Sequence, residues 1–293
     1  MRADLDSKIL KKLDEQKKEE GKLPLLLAFF QKLTLIHSRA VKRFGVPETG
    51  LSRQAGGRRI HNGLPLLTFE HLVLDWPLLR ENFVEVVAAF ADYPGLFGEI
   101  PEKLTKPAAS RLLTKKAVKA WFNGDELPPA MLASGVSEYL LQAIIHATLS
   151  PFLTSYSKVL IDLVDQERWR RRYCPVCGGS ADFAFLDKER GSRWLLCSRC
   201  DTGWLYQRLE CPYCGTREQK DLSYFTDDEG IYRLYLCERC KHYLKAIDLQ
   251  KTEYEVLLPL ERFYTLDIDS QARQRGYSPY DMVARTKEEK DIA

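Results

Sequence analysis

All eight cysteines of this chain fall in Cys-x-x-Cys pairs: Cys174/Cys177, Cys197/Cys200, Cys211/Cys214 and Cys237/Cys240. A turn of this spacing aims two sulfurs at one point while its backbone N–H groups lean towards them. A glycine directly after the second cysteine allows the positive φ that brings in further donors, and Gly178 and Gly215 stand there. Four thiolates in a tetrahedron suit structural zinc and rubredoxin-type iron alike. The local pairing assigns Cys174, Cys177, Cys197 and Cys200 to one metal and Cys211, Cys214, Cys237 and Cys240 to a second. An interleaved cross-brace uses the same eight residues. A disulfide framework belongs to exported proteins, and a thioredoxin-like dithiol needs one reactive pair in a βαβ setting.

The ligands sit in an internal repeat. Cys174-Pro175-Val176-Cys177-Gly178 returns as Cys211-Pro212-Tyr213-Cys214-Gly215, and Leu196-Cys197-Ser198-Arg199-Cys200 returns as Leu236-Cys237-Glu238-Arg239-Cys240. Each copy reads as knuckle, hairpin, knuckle, strand. Short β-type runs at 183–186, 193–196, 204–206, 222–225, 232–236 and 243–247 are separated by turn clusters such as 188–192 and 227–230. The aromatic residues among them, Trp169, Trp194, Trp204, Tyr206, Tyr213, Tyr224 and Tyr235, read as core packing. His242 reads as a packing or surface residue, since four sulfurs already complete each set.

Residues 1–165 read as helices. Asp75 before Trp76-Pro77 is an N-cap followed by proline in the first turn. Leu79, Phe83, Val86, Val87 and Phe90 then form one apolar stripe. Leu132, Val136, Tyr139, Leu140, Ala143 and Ala147 form a second, and Phe152, Tyr156, Val159, Leu160 and Leu163 a third. Further helices are expected near 4–20, 24–44 and 105–122, the last stopped by Asn123-Gly124, and again over 257–274. The stretch 46–65, with Gly56-Gly57, reads as a long mobile loop, and the end from Lys287 as frayed.

The 293 residues carry a formal net charge of +3, too little to argue for nucleic acid or an anionic membrane. The stretch 168–248 has a small excess of Lys and Arg, which two divalent tetrathiolate centres, each adding about −2, would cancel. The basic run Arg168, Arg170, Arg171 and Arg172 reads as an exposed linker countering the thiolates, with an acidic-partner stripe as the alternative. The uncharged run 139–157 contains Gln142, His146 and Pro151 and reads as a buried helix, not a membrane span. The N-terminus lacks an apolar signal-peptide core, which makes the cytoplasm the expected location. No Ser/His/Asp set, phosphate loop or dinucleotide fingerprint is present, so no enzyme is expected.

Taken together, Cys174-Pro-Val-Cys-Gly-Gly, Leu196-Cys-Ser-Arg-Cys-Asp-Thr-Gly-Trp204, Cys211-Pro-Tyr-Cys-Gly and Cys237-Glu-Arg-Cys-Lys-His-Tyr-Leu-Lys245 resemble the FdhE-type formate dehydrogenase accessory family. Leu266-Asp267 to Ala272 and Gly276-Tyr277 extend the likeness, which is best over 168–280 and weaker over the helical half. The resemblance implies a cytoplasmic maturation factor with two rubredoxin-like modules able to hold iron. Such a factor associates with the catalytic subunit of a formate dehydrogenase and is needed for its activity; all eight cysteines are its implied ligands. The expected fold is α+β: a helical domain over 1–167, two tandem rubredoxin-like or zinc-ribbon modules over 168–206 and 207–250, and a C-terminal helix and tail over 251–293. Two metal ions per chain are expected, iron or zinc, with no nucleic acid and no membrane span; self-association stays open. A nucleic-acid-binding zinc ribbon and a rubredoxin-like electron carrier are the alternatives.

Overall fold

Capping and proline placement set the helices of the N-terminal half. The computed structural model describes residues 2–280, which form two compact units, 2–49 with 69–156 and 50–68 with 157–280. The first unit holds α1 (Arg2–Glu20), α2 (Leu25–Phe44), α4 (Trp76–Ala91), α5 (Pro94–Phe97), α6 (Glu102–Thr105), α7 (Lys115–Asn123), α8 (Pro129–Leu132) and most of α9 (Glu138–Leu160). The Asp75 carboxylate accepts the Leu78 N–H at 3.0 Å at the start of α4, and Gly124 ends α7 in the left-handed conformation at φ 72°. Leu79, Phe83, Val86, Val87 and Phe90 are all buried, as their spacing requires, and Phe29 of α2 meets Phe90 edge-on at 4.9 Å.

Two helical readings shift. The stripe through Tyr139 is broken, because Gly135 at φ 93° separates α8 from α9. Tyr139 is 77% exposed, while the neighbouring set Leu141, Ile144, Ile145, Leu149 and Phe152 forms the buried face. The stretch 105–122 is not one helix: Pro107 starts a 3-10 turn over Pro107–Leu112, and α7 begins afresh behind the Thr114 cap. Among the described residues no helix is long and apolar enough to cross a membrane.

The second unit is built on one sheet with strands β1 (Ala181–Leu186), β2 (Arg193–Cys197), β3 (Gly203–Leu205), β4 (Leu222–Thr226), β5 (Tyr232–Cys237), β6 (His242–Asp248) and β7 (Ser278–Pro279). The order is β3-β2-β1-β6-β5-β4, with β7 on β6. Within each repeat the pairing is antiparallel, as the hairpins require. The repeats join through β1 and β6, which run parallel with Phe183 opposite Lys245 and Leu186 opposite Asp248. Then α10 (Leu258–Tyr264) and α11 (Leu266–Gln274) follow. From α10, Arg262 reaches Asp182, Asp201 and the Cys197 carbonyl at 3.0, 2.7 and 2.9 Å. Phe183, Leu196 and Ile247 pack as one cluster, and Leu234, Leu236, Tyr243, Ile268 and Ala272 as another.

The stretch expected as a long loop contains α3 (Arg53–His61), capped by Ser52, whose hydroxyl accepts the Ala55 N–H at 3.2 Å. Gly56 marks close packing there: a methyl group at that position would lie 3.0 Å from Leu163. The reading of a frayed end from Lys287 lies outside the described residues.

Candidate metal centres

The four knuckles share one backbone plan. In each, the residue after the second cysteine has a positive φ: Gly178 at 69°, Asp201 at 54°, Gly215 at 73° and Lys241 at 57°. Its N–H closes a turn onto the first cysteine's carbonyl, at 3.0, 3.2, 3.0 and 2.9 Å respectively. The turn frees the inner N–H groups to face sulfur: Val176 and Arg199 lie 3.4 Å from Cys174 Sγ and Cys197 Sγ, and Tyr213 3.5 Å from Cys211 Sγ. Asp201 and Lys241 escape a search for glycines, yet aligning the two copies puts them where Gly178 and Gly215 stand. Left-handed backbone suits Asp better than Lys.

These turns bring Cys174, Cys177, Cys197 and Cys200 into one group and Cys211, Cys214, Cys237 and Cys240 into another, with all sulfurs in a group within 4.8 Å of each other. The pairing is the local one. Cys174–Cys200 and Cys177–Cys197 are 3.7 and 3.5 Å apart, and Cys211–Cys240 and Cys214–Cys237 are 3.7 and 3.6 Å. Disulfide sulfurs would lie at about 2.0 Å, whereas a tetrahedron with bonds of about 2.3 Å has edges of about 3.8 Å. Each group has the donor chemistry and dimensions to hold a metal ion.

Crowding divides the protons unevenly. Burial pushes the Cys174 and Cys200 thiols up, while hydrogen bonds from Cys174, Cys197 and Cys200 pull Cys177 down. In the second group the hydrogen bond from Cys240 brings Cys211 down to about 5, and burial brings Cys237 up to about 11. Four adjacent thiols cannot all ionise without a cation between them, which is what a divalent ion supplies.

The surroundings differ. All four sulfur residues of the first group are buried, whereas Cys214 and Cys240 of the second are half-exposed. The Thr202 hydroxyl lies 2.9 Å from Cys200 Sγ and 2.6 Å from Ser157 Oγ. The segment after α3 seals the first knuckle, Leu66 and Leu67 donating to the Pro175 and Val176 carbonyls at 2.8 Å. Trp169 and Trp204 are fully buried, and Tyr213 nearly so, in line with a packing role; Tyr224 is 54% exposed. His242 joins neither sulfur group: its Nδ1 lies 3.3 Å from the Ser278 carbonyl, and its ring meets Tyr213 and Tyr280.

The basic run is more than a linker. Arg168 and Arg170 pair with Asp165 and Glu167 at the surface, but Arg171 packs on Gly63 and Arg172 donates to the Tyr213 carbonyl inside the Cys211/Cys214 knuckle. From β2, buried Arg193 donates to the Gln207 and Glu210 carbonyls just before Cys211. Its guanidinium lies between the rings of Tyr206 and Tyr235, 5.4 and 5.3 Å from their centroids. The first repeat thereby holds the turn that leads into the second repeat.

Fold and site together define an α+β protein carrying two four-cysteine groups able to hold metal ions, each in a knuckle–hairpin–knuckle frame. The profile of the family described as "FdhE, central domain" matches residues 173–208. A "Protein FdhE homolog" of Aquifex aeolicus is 35% identical over 152 residues, 50% of this chain and 53% of that protein. A "Protein FdhE homolog" of Shewanella oneidensis is 27% identical over 136 residues, 45% of each. The crystal structure of the FdhE protein from Pseudomonas aeruginosa matches with a TM-score of 0.59 and 20% identity, covering 95% of this chain and 94% of that one. The chain spans about half the length of the curated relatives it matches. These likenesses support the FdhE family for this chain.

Proposed function

We propose that this chain is a cytoplasmic formate dehydrogenase accessory protein that binds the dehydrogenase catalytic subunit and is needed for its activity, with no turnover of its own. The eight cysteines, Cys174, Cys177, Cys197, Cys200, Cys211, Cys214, Cys237 and Cys240, hold two metal ions. The observation that carries this reading is the pair of complete four-sulfur groups in an FdhE-like frame. Iron in these groups would supply a one-electron couple, whereas zinc would supply structure alone. The chain's own contribution is clear in either case: its knuckle N–H groups orient and partly neutralise the thiolates, and burial excludes water from the first group.

The test is a deletion strain rescued with tagged protein. The dehydrogenase subunits should be made but poorly active without it, and the tagged chain should capture the catalytic subunit. Normal formate dehydrogenase activity in the deletion strain would refute the reading. Salt-sensitive co-purification of RNA or DNA would favour the zinc-ribbon alternative. The half-exposed Cys214 and Cys240 favour an electron-carrier reading as second choice. Full rescue by a zinc-loaded form would exclude it.

A further inference from the structure

The sheet ends at β4, whose outer edge has no neighbouring strand among the described residues. The hairpin register fixes what that edge offers. Asp227 donates its N–H to the Tyr232 carbonyl, and Glu238 donates to the Asp221 carbonyl. By alternation, Ser223 and Phe225 bond to β5, while the N–H and C=O groups of Leu222, Tyr224 and Thr226 point outward. Edge strands are commonly blunted by a charge, a proline or a bulge. The run Leu222–Thr226 has none of these, and its register with β5 is continuous. Tyr224 and Phe225 on it are 54% and 46% exposed.

Beside this edge, the β4–β5 hairpin and α11 flank an open groove of about 390 Å³. Phe225, Tyr232, Leu234, Tyr264 and Ile268 give it apolar walls. Asp227, Asp228, Glu229 and Asp267 also line it, with no Lys or Arg among the lining residues. None of these four carboxylates is ion-paired with a Lys or Arg of the described residues, in contrast to Asp248 and Asp269 nearby. Arg275 lies over the Phe225 ring at 4.4 Å and covers one face of it.

We propose that the β4 edge and this groove together bind an extended, Lys- or Arg-rich segment of a partner protein, added as a further strand alongside β4. The outward backbone groups supply the strand pairing, and every second side chain of the added segment falls on the groove side, where the carboxylates select for positive charge. An acidic segment would bring like charges together in the same place. The claim concerns the class of peptide and holds whichever protein carries it, so its failure would leave the accessory role untouched.

The test uses the full metal-loaded chain and three fluorescein-labelled peptides of about ten residues, read by anisotropy. One alternates Lys with Val, one alternates Glu with Val, and the third is the Lys peptide with its backbone N-methylated at every second residue. The Lys peptide should bind and weaken with salt, the Glu peptide should bind at least about 100-fold less well, and N-methylation should cost about tenfold. Combined Asp228→Asn, Glu229→Gln and Asp267→Asn, all exposed positions, should weaken the Lys peptide about tenfold without changing metal content. Thr226→Pro, which removes one outward N–H and leaves the β5 ladder in place, should also weaken it. Equal binding of the Lys and Glu peptides overturns the proposal. So does full affinity in the folded charge-neutral variant, or in the N-methylated peptide.

Discussion

The two cysteine groups share a knuckle geometry and differ in what encloses them. In the first, a glycine, Gly179, follows the positive-φ residue, and a methyl group there would lie 2.9 Å from the Arg199 side chain and 3.2 Å from Cys197 Sγ. In the second, Thr216 occupies the matching place and its side chain fits. The first group is closed over by the 63–67 segment and the Arg262 clamp; the second is open at Cys214 and Cys240 and depends on Arg172 and Arg193 from outside its own repeat. A duplicated sequence has thus produced one enclosed site and one partly open site, each braced from outside its own repeat.

The largest effect should come from Cys174→Ser. It should empty the first group and also lower retention in the second, because the frame that carries Arg172 and Arg193 loosens. Cys240→Ser should empty only the second group. Elemental analysis with sulfur-edge absorption would decide, and equal, independent losses from the two variants would erase the asymmetry. Losing a ligand forfeits much of a binding free energy that reaches about 10–16 kcal/mol for small zinc modules.

A chelator added to the fully loaded chain should strip the two metals in separate phases, the half-exposed group at least about tenfold faster. A single phase would show that sulfur burial does not govern release. Arg193→Met should follow in size. It leaves the Gln207 and Glu210 carbonyls without their donor, so affinity at the second group should fall about 10–100-fold, as for other outer-sphere partners, while the first group keeps its metal. Competition against a zinc indicator would measure both.

The smallest effect tests the knuckle turns. Lys241→Gly relieves a left-handed non-glycine residue and gives up an exposed ion pair with Glu238 and the ammonium's contact with the Tyr277 ring. It should stabilise the second unit by about 1 kcal/mol. Gly178→Ala should destabilise it by a similar amount, and thermal melts of the metal-loaded forms would show whether the signs are opposite.

Much of this was legible in the sequence because it is local. The six main strands, the Asp75 cap, the Gly124 stop and both four-sulfur groups follow from spacing within a few turns or one hairpin. What stayed hidden depends on distant partners. Gly56-Gly57 reads as loop punctuation until Leu163 is seen to require the missing side chain at Gly56. Tyr139 fits an apolar stripe until the break at Gly135 rotates α9 away from it. Arg171 and Arg172 look like solvated charges, since nothing near them in sequence announces Gly63 or the Tyr213 carbonyl. The two repeats each look complete, so nothing in either one signals that β1 and β6 will pair.

That parallel pairing imposes an order on how the protein is made. All ligands of the first group lie between 174 and 200, so its metal can bind soon after that stretch leaves the ribosome. Strand β1, however, keeps one edge open until 245–248 arrive, and a long-range parallel pair forms slowly. During that interval a bound ion would pin β1 and β2 in register while a bare apolar edge waits for its partner, the condition under which nascent chains aggregate. Metal supply during synthesis should therefore govern how much of this chain reaches its folded state, quite apart from what the metals do afterwards.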